Sequence, residues 1–411
     1  MTPKNRTNKK GIKNMYNYKM TKESPFTPGN IVKPLYFVGR EDELKLILRH
    51  IPDIIHGNNR HFYMIGKRGM GKSSLSANTK HILEKNFDMI VLNISNDGIN
   101  TLENLITSII EILLEEIETE NWAEKIFHTF EDNIENVGFM SLNVKLKNKE
   151  SKEISYLIRH FAEFIKELCG YFKNEKKGLM IIIDDVNGLS RTDKFANWYK
   201  SFATKLDSYI DEDIPVGFIL TSYPQNFNKF KRMNPSFTRI FNIIPIEKLS
   251  DNDVSKFYTN VFNDINMELD DKALELMVKY TFGMPLMMQE IGYSIFWLCD
   301  ENEKITCNTA LTGIKIAKES ILTKYLHENI ANKNYERILR VISTHITPGE
   351  NDRIIVPEIK QDLLEEEKDL LDVFIIESKN AGIIESIDYK VDETYEFINP
   401  LYTIFLKINN I

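Results

Sequence analysis

Apolar positions along the chain follow two periods. From Glu41 to Ile51, the residues Leu44, Leu46, Ile47, Leu48 and Ile51 recur at helical spacing, and Pro52 is expected to end that helix. Short and nearly unbroken apolar runs follow: Phe62 to Ile65, Met89 to Ile94, Gly178 to Ile183, Val216 to Leu220 and Ile240 to Ile244. Runs without polar alternation predict strands buried on both faces. Helical patterns lie between them, over Leu102 to Glu118 and Glu153 to Tyr171. Strands that alternate with helices predict an α/β fold, a parallel sheet sandwiched by helices.

Residues 120–150 read as an insertion, with Phe139 to Leu146 alternating like a short strand or hairpin. Leu249-Ser250-Asp251 has the composition of a helix cap, and the chain then reads helical to about Leu298. From about Ile314 the pattern changes to helices with acidic surfaces. It closes on two short runs, Gly382 to Ile387 and Tyr395 to Ile398. Three helices followed by a two-stranded ribbon predict a winged helix. The expected organisation is a basic tail over 1–30, a sheet domain over 31–248, a helical domain over 249–313 and a winged-helix domain over 314–411.

Composition narrows the class. At 411 residues the chain exceeds one ordinary domain, and 42% hydrophobic content excludes a fully disordered protein. No window approaches the run of roughly 18 apolar residues that a membrane span needs, so no membrane association is expected. No secretory apolar segment is evident near the amino end, and the cysteines Cys169, Cys299 and Cys307 form no metal spacing or disulfide framework. They read as core residues of a reducing, cytoplasmic compartment. The eight histidines make no catalytic pairing; His50, His56 and His61 flank a polar loop. The net charge of −8 is unevenly spread, because residues 1–35 carry eight basic groups against Glu23 alone. That end is either simply solvated or an anion contact, with nucleic acid the main candidate.

The chemistry concentrates where the first apolar strand ends. Phe62 to Ile65 runs into Gly66-Lys67-Arg68-Gly69-Met70-Gly71-Lys72-Ser73, with Ser74 next. This satisfies G-x-x-x-x-G-K-[ST] in its strand-to-helix context, the signature of a P-loop nucleoside triphosphatase. The glycines Gly66, Gly69 and Gly71 let backbone N–H groups of the loop, including those of Arg68 and Met70, face phosphates. Lys72 neutralises the β- and γ-phosphates, and Ser73 offers a hydroxyl to Mg²⁺. The apolar strand ending in Asp184-Asp185 should bring both carboxylates to the same sheet edge. There Asp184 would hold Mg²⁺ and Asp185 would orient or deprotonate the attacking water. Thr221 ends a further strand, where it either senses the γ-phosphate or caps a turn. Arg239 precedes the last strand, where it reads as a finger toward a γ-phosphate or as a surface residue near Lys229, Lys231 and Arg232.

Together these residues resemble the AAA+-related P-loop ATPases that group STAND signalling NTPases with archaeal-type ATPases and origin-recognition-like initiators. The resemblance covers about residues 25–411. It rests on Pro25-Phe26-Thr27-Pro28-Gly29, Phe37-Val38-Gly39-Arg40-Glu41, the phosphate loop, Asp184-Asp185 and Gly283-Met284-Pro285. It implies that Val38, Gly39 and Arg40 lie at the adenine, that the helical domain is a lid, and that Pro285 contacts the nucleotide. It implies ATP and Mg²⁺ as cofactors and a homo-oligomer. Initiators usually carry an Arg after the lid glycine. Here the run is Gly283-Met284-Pro285-Leu286-Met287-Met288-Gln289-Glu290, which tilts the match toward the STAND and archaeal-ATPase branch.

A winged helix suggests DNA, yet residues 355–411 hold thirteen acids against five lysines. The expected recognition helix, about Glu367 to Lys379, would repel phosphates, so DNA contact is better sought in the basic tail or at Lys229, Lys231 and Arg232. Three readings stay open: a nucleotide-dependent switch, a DNA-binding initiator or transposition-type ATPase, and a defence or stress regulator holding a separately encoded effector.

Overall fold

The computed structural model describes residues 23–95, 98–118, 151–209, 212–299, 303–349, 351–387 and 393–409. The expected strand within 120–150 and the first 22 residues of the expected tail lie outside them.

Five parallel strands form the central sheet: β1 (Arg60–Ile65), β2 (Ile90–Ser95), β3 (Leu179–Asp184), β4 (Val216–Ser222) and β5 (Asn242–Pro245), in the order β2-β3-β4-β1-β5. Their unbroken apolar runs serve both faces. In β3, Leu179, Ile181 and Ile183 enter one core while Met180 and Ile182 enter the other; in β1, Tyr63 points one way and Phe62 and Met64 the other. The α/β sandwich is therefore as the apolar pattern predicts.

The flanking helices include α1 (Glu41–Leu48), α2 (Lys72–Phe87), α3 (Leu102–Glu118), α4 (Phe161–Phe172), α5 (Lys194–Asp207) and α6 (Pro224–Met233). Two boundaries differ from expectation. The first helix ends at Leu48, and Pro52 does not stop it: Pro52 occupies the first turn of a separate short helix, Ile51–Ile55, where its missing N–H costs nothing. The helix expected over Glu153 to Tyr171 is two, Ser151–Arg159 and α4, broken at His160, whose backbone leaves the helical region.

Four helices follow: α7 (Asp251–Asp264), α8 (Asp271–Thr281), α9 (Pro285–Leu298) and α10 (Cys307–Tyr325). Ser250 caps α7 by accepting from the Asp253 N–H, as its sequence implies. Helix α10 runs unbroken across positions 313 and 314, where a domain boundary was expected. Ile314 is buried among α8 and α9 and belongs to their core. The expected tail also ends too late, because residues 24–30 are packed: Phe26 is 2% exposed and sits against Phe257, Tyr258 and Phe262 of α7.

The remaining elements are α11 (Glu336–His345), β6 (Arg353–Ile355), α12 (Val356–Gln361), α13 (Glu365–Asn380), β7 (Ile384–Ser386), β8 (Thr394–Phe397) and α14 (Leu401–Ile408). The expected two-stranded ribbon is a three-stranded antiparallel sheet, β6-β8-β7, because Arg353–Ile355 pairs with β8. Helix α14 stitches this unit to the rest. Leu401, Ile404 and Ile408 face the core that α7 to α10 share with one side of the sheet, while Tyr402, Phe405 and Leu406 face the C-terminal core. Among the described residues, no helix is long and apolar enough to cross a membrane.

Candidate functional site

The site is built where β1 ends. The backbone turns at Gly66, and a Cβ there would come within 2.8 Å of the Ile246 carbonyl, so the following strand's exit requires glycine. Gly69 and Gly71 then take φ of 80° and 83°, the left-handed region that suits glycine, and helix α2 starts at Lys72. The positive end of α2 thereby faces the cavity as an anion seat, while the Gly66 N–H donates to the Ser222 carbonyl (3.2 Å) and the Met70 N–H, expected to face phosphates, donates to the Lys67 carbonyl (3.4 Å).

Lys72 is 8% exposed. Its ammonium donates to the carbonyls of Gly66 (2.8 Å) and Lys67 (3.2 Å) and lies 4.5 Å from the ring centre of Tyr223. Burial lowers its pKa to about 8 against the pull of Asp184 and Asp185, which favour the charged form. The carboxylates stand across the cavity at the end of β3. Thr221 Oγ1 donates to Asp184 Oδ1 at 2.7 Å and accepts the Asp185 N–H at 2.8 Å. Thr221 is wholly buried and does not line the cavity, so its hydroxyl orients the Asp184-Asp185 pair and does not face a ligand directly. Asp185 has φ of 68°, and its Oδ1 accepts from the Asn187 backbone N–H (3.0 Å) and side-chain amide. Burial raises its pKa above the usual carboxylate range, with the Asn187 N–H and the Lys72 charge opposing.

A cavity of about 330 Å³ joins these groups. Val38, Arg40, Arg68, Gly69, Met70, Gly71, Lys72, Ser73, Ser74, Asp184, Asp185 and Pro285 line it. Gly66 does not line it, but its carbonyl holds Lys72. Gly39 stands behind the wall at φ of 67°, where a Cβ would collide with Leu249 and Asp253. Arg40 is 5% exposed and committed to protein groups: Glu43 Oε1 (2.8 Å), the Met70 carbonyl (3.0 Å) and the Glu247 carbonyl (2.6 Å). It ties the phosphate loop to the linker that leads into α7. Arg239 is exposed and caps a short helix before β5. The register Phe62 with Asn242 puts it at the opening end of β1, opposite the phosphate loop. It cannot reach this chain's own cavity, and the finger reading survives only toward another copy.

Oxygen donors from Ser73, Asp184 and Asp185 suit Mg²⁺, which takes one or two protein oxygens and completes its shell from phosphates and water. Among the described residues no group of three or more His, Cys, Asp or Glu could form a protein-only metal cage, and a nucleotide-bound Mg²⁺ needs none.

Some lining residues were not singled out from sequence. Residues 29–32 form one rim, held where the Val32 N–H donates to Ser74 Oγ (3.2 Å) and the Thr27 N–H to Gln289 Oε1 (2.8 Å). Helix α9 forms the opposite rim: the Leu286 N–H at its start donates to the Gly69 carbonyl (3.2 Å). Tyr325 from α10 lines the cavity too, beside the buried Glu290. Asn187 connects the strand ends, its Oδ1 accepting from the Tyr223 N–H (2.9 Å) and Asn226 (2.7 Å). Among the histidines, His61 is not a loop-flanking residue. It is buried in β1, bonded to Tyr199 and Asn59, and held neutral with its pKa lowered to about 3 by burial. Cys169 and Cys299 are core residues as read, whereas Cys307 is part-exposed.

Residues 36–198 match the AAA ATPase domain family. No curated protein matches the chain. In fold, the chain is similar to the ORC2 protein of Aeropyrum pernix, solved as ADPNP-ADP complexes, with a TM-score of 0.53 at 11% identity over 92% of this chain and 97% of that one. Cdc6p of Pyrobaculum aerophilum superposes with a TM-score of 0.49 at 12% identity, covering 94% of this chain and 96% of that one. The RuvB Holliday junction branch migration motor of Thermotoga maritima superposes with a TM-score of 0.44 at 13% identity, covering 89% and 96% respectively.

Proposed function

We propose that this P-loop ATPase is a nucleotide-dependent switch, in which ATP binding and hydrolysis reset the lid and the C-terminal unit. One observation carries the reading: the cavity wall is assembled from separate parts of the chain. The phosphate loop supplies one side, α9 bonds that loop through Leu286, and Tyr325 leads directly into the C-terminal unit. A ligand that touches such units shifts their equilibrium by its differential affinity for their docked and released arrangements. The relative solved with ADPNP and ADP has the same overall fold and supports a nucleotide as the occupant.

In this reading Lys72 and the backbone N–H groups at the start of α2 hold the phosphates. Ser73 and Asp184 hold Mg²⁺, and Asp185 directs the attacking water, its raised pKa suiting a base. Val38 and Arg40 form the wall at the base, with Gly39 permitting their approach. Pro285 covers the loop from the lid, and Arg239 acts, if at all, on a neighbouring copy of a homo-oligomer. The C-terminal order of helix, strand, two helices and two strands supports a winged-helix reading. Its α13 begins two residues earlier than expected and carries six acids against two lysines. That charge favours a protein partner, such as a separately encoded effector, over duplex DNA; the missing lid Arg after Gly283 favours the STAND-like branch over initiators.

The test is nucleotide affinity and turnover in Lys72→Ala and Asp185→Asn. Lys72→Ala should lose tight ATP binding, and Asp185→Asn should bind ATP normally and hydrolyse it at least tenfold more slowly. Unchanged affinity in the first variant would remove the phosphate seat. Wild-type turnover in the second would place the base elsewhere.

A further inference from the structure

Lys67, the second residue of the phosphate loop, does not face the cavity. Its ammonium reaches across to the C-terminal unit and donates to Asp352 Oδ2 at 2.5 Å. Asp352 is unusual for a carboxylate because its side chain is only 3% exposed. Its second oxygen, Oδ1, accepts the Gly349 N–H (3.3 Å), so one oxygen shapes its own loop and the other holds the phosphate loop. It stands immediately before β6. Across the β6–β8 register Arg353 faces Glu396, and Glu396 faces Glu385 on β7, so the sheet brings further carboxylates to the same place. Glu396 is half-buried, and burial raises its pKa while the Lys67 charge lowers it.

The loop cannot shift away from this unit without stripping a buried carboxylate of its cation, a separation that low-dielectric surroundings resist. Lys67 is also tied to the catalytic lysine, since the Lys67 carbonyl accepts from Lys72 Nζ at 3.2 Å.

We infer that Asp352 is a positioning residue of the nucleotide site, supplied by the C-terminal unit, which ties up Lys67 and thereby sets the preference between ATP and ADP. The inference rests on the nucleotide reading above. While Asp352 neutralises Lys67, the loop presents one positive charge fewer to the phosphates. ATP carries one more negative charge than ADP, so it competes harder for Lys67, and its binding and the Lys67–Asp352 contact oppose each other. By reciprocity, a C-terminal unit held on the loop favours ADP, and ATP favours its release.

Removing the carboxylate charge and removing the cation should therefore act in opposite directions on affinity and in the same direction on docking. The experiment measures affinities for ATP and ADP, and amide exchange over 347–352 and 394–397, in the full chain and in Asp352→Asn, Lys67→Met and the double variant. Asp352→Asn should raise the preference for ATP over ADP about three- to tenfold, an electrostatic effect of ordinary size near a surface. Lys67→Met should lower that preference. Both should speed exchange in the two segments, and in the double variant Asp352→Asn should add nothing to Lys67→Met. Asp352→Asn leaves only Lys67 unpaired, and at 39% exposure water can solvate it, so that variant keeps the test open even if Lys67→Met, which strands the buried Asp352 charge, proves intolerant. Asp352→Glu should restore the wild-type preference. An ATP-to-ADP preference unchanged in both single variants overturns the inference, as does an equal Asp352→Asn effect with and without Lys67. Failure of the wild-type chain to bind either nucleotide would instead overturn the nucleotide site itself.

Discussion

Lys72 is a buried cation whose charge is sensitive to pH. Its pKa is lowered to about 8, and phosphates raise it again by favouring the charged form. Above about pH 8 the free protein must take up a proton to bind. Affinity for ATP is thus expected to be flat below pH 8 and to fall above it, approaching about tenfold per pH unit. Titration of the dissociation constant from pH 7 to 9.5 checks this, and Lys72→Arg should abolish the slope. Thr221 offers a second test. Thr221→Val keeps the shape but deletes the hydroxyl shared between Asp184 and the Asp185 N–H. ATP binding should persist, turnover should fall at least tenfold, and stability should drop by about 1–3 kcal/mol from the stranded buried groups. Normal turnover would assign Thr221 to packing alone. At this scale the phosphate loop and the two aspartates were legible in sequence, since adjacent residues of fixed spacing create that seat. The hydrogen bonds of Thr221 were not, because they cross from β4 to β3. Nor was the placement of Arg239 legible, which depends on which end of a parallel strand it precedes.

Among the elements, the apolar runs specified the strands because each must feed two cores. Helix breaks were less legible, since Pro52 can start a helix as readily as end one and His160 gives no breaking signal of its own. Helix α14 escaped notice, although Leu401, Ile404, Phe405 and Ile408 follow Pro400 at helical spacing. Pro25 to Gly29 read as a turn-forming boundary near which order should start, but not as a packing element; Phe26 fills a notch in α9 that only Gly292 leaves open. A Cβ on Gly292 would lie 2.2 Å from the Phe26 ring. Gly292→Ala should therefore cost about 1–3 kcal/mol. The thermal midpoint should fall by several degrees, and Phe26→Leu in the same background should recover part of it. A midpoint unchanged by Gly292→Ala would mean that Phe26 is not seated there. Because the rim at 29–32 follows directly, ATP affinity should fall with the midpoint.

For the whole molecule, the sheet, lid and C-terminal unit share one cavity wall or touch the loop that forms it. Their meeting was not legible in sequence, since Lys67 and Asp352 are 285 positions apart, Lys67 stands at a variable position of its loop motif and Asp352 belongs to no motif. The central claim is that nucleotide state changes how these units are docked. The most direct measurement is small-angle scattering of the full-length Asp185→Asn chain, saturated in turn with Mg²⁺-ATP and Mg²⁺-ADP and with occupancy verified. The account predicts a larger radius of gyration or a higher oligomer in ATP than in ADP. Superimposable profiles at full occupancy would contradict it, leaving an ATPase whose nucleotide controls nothing beyond its own site.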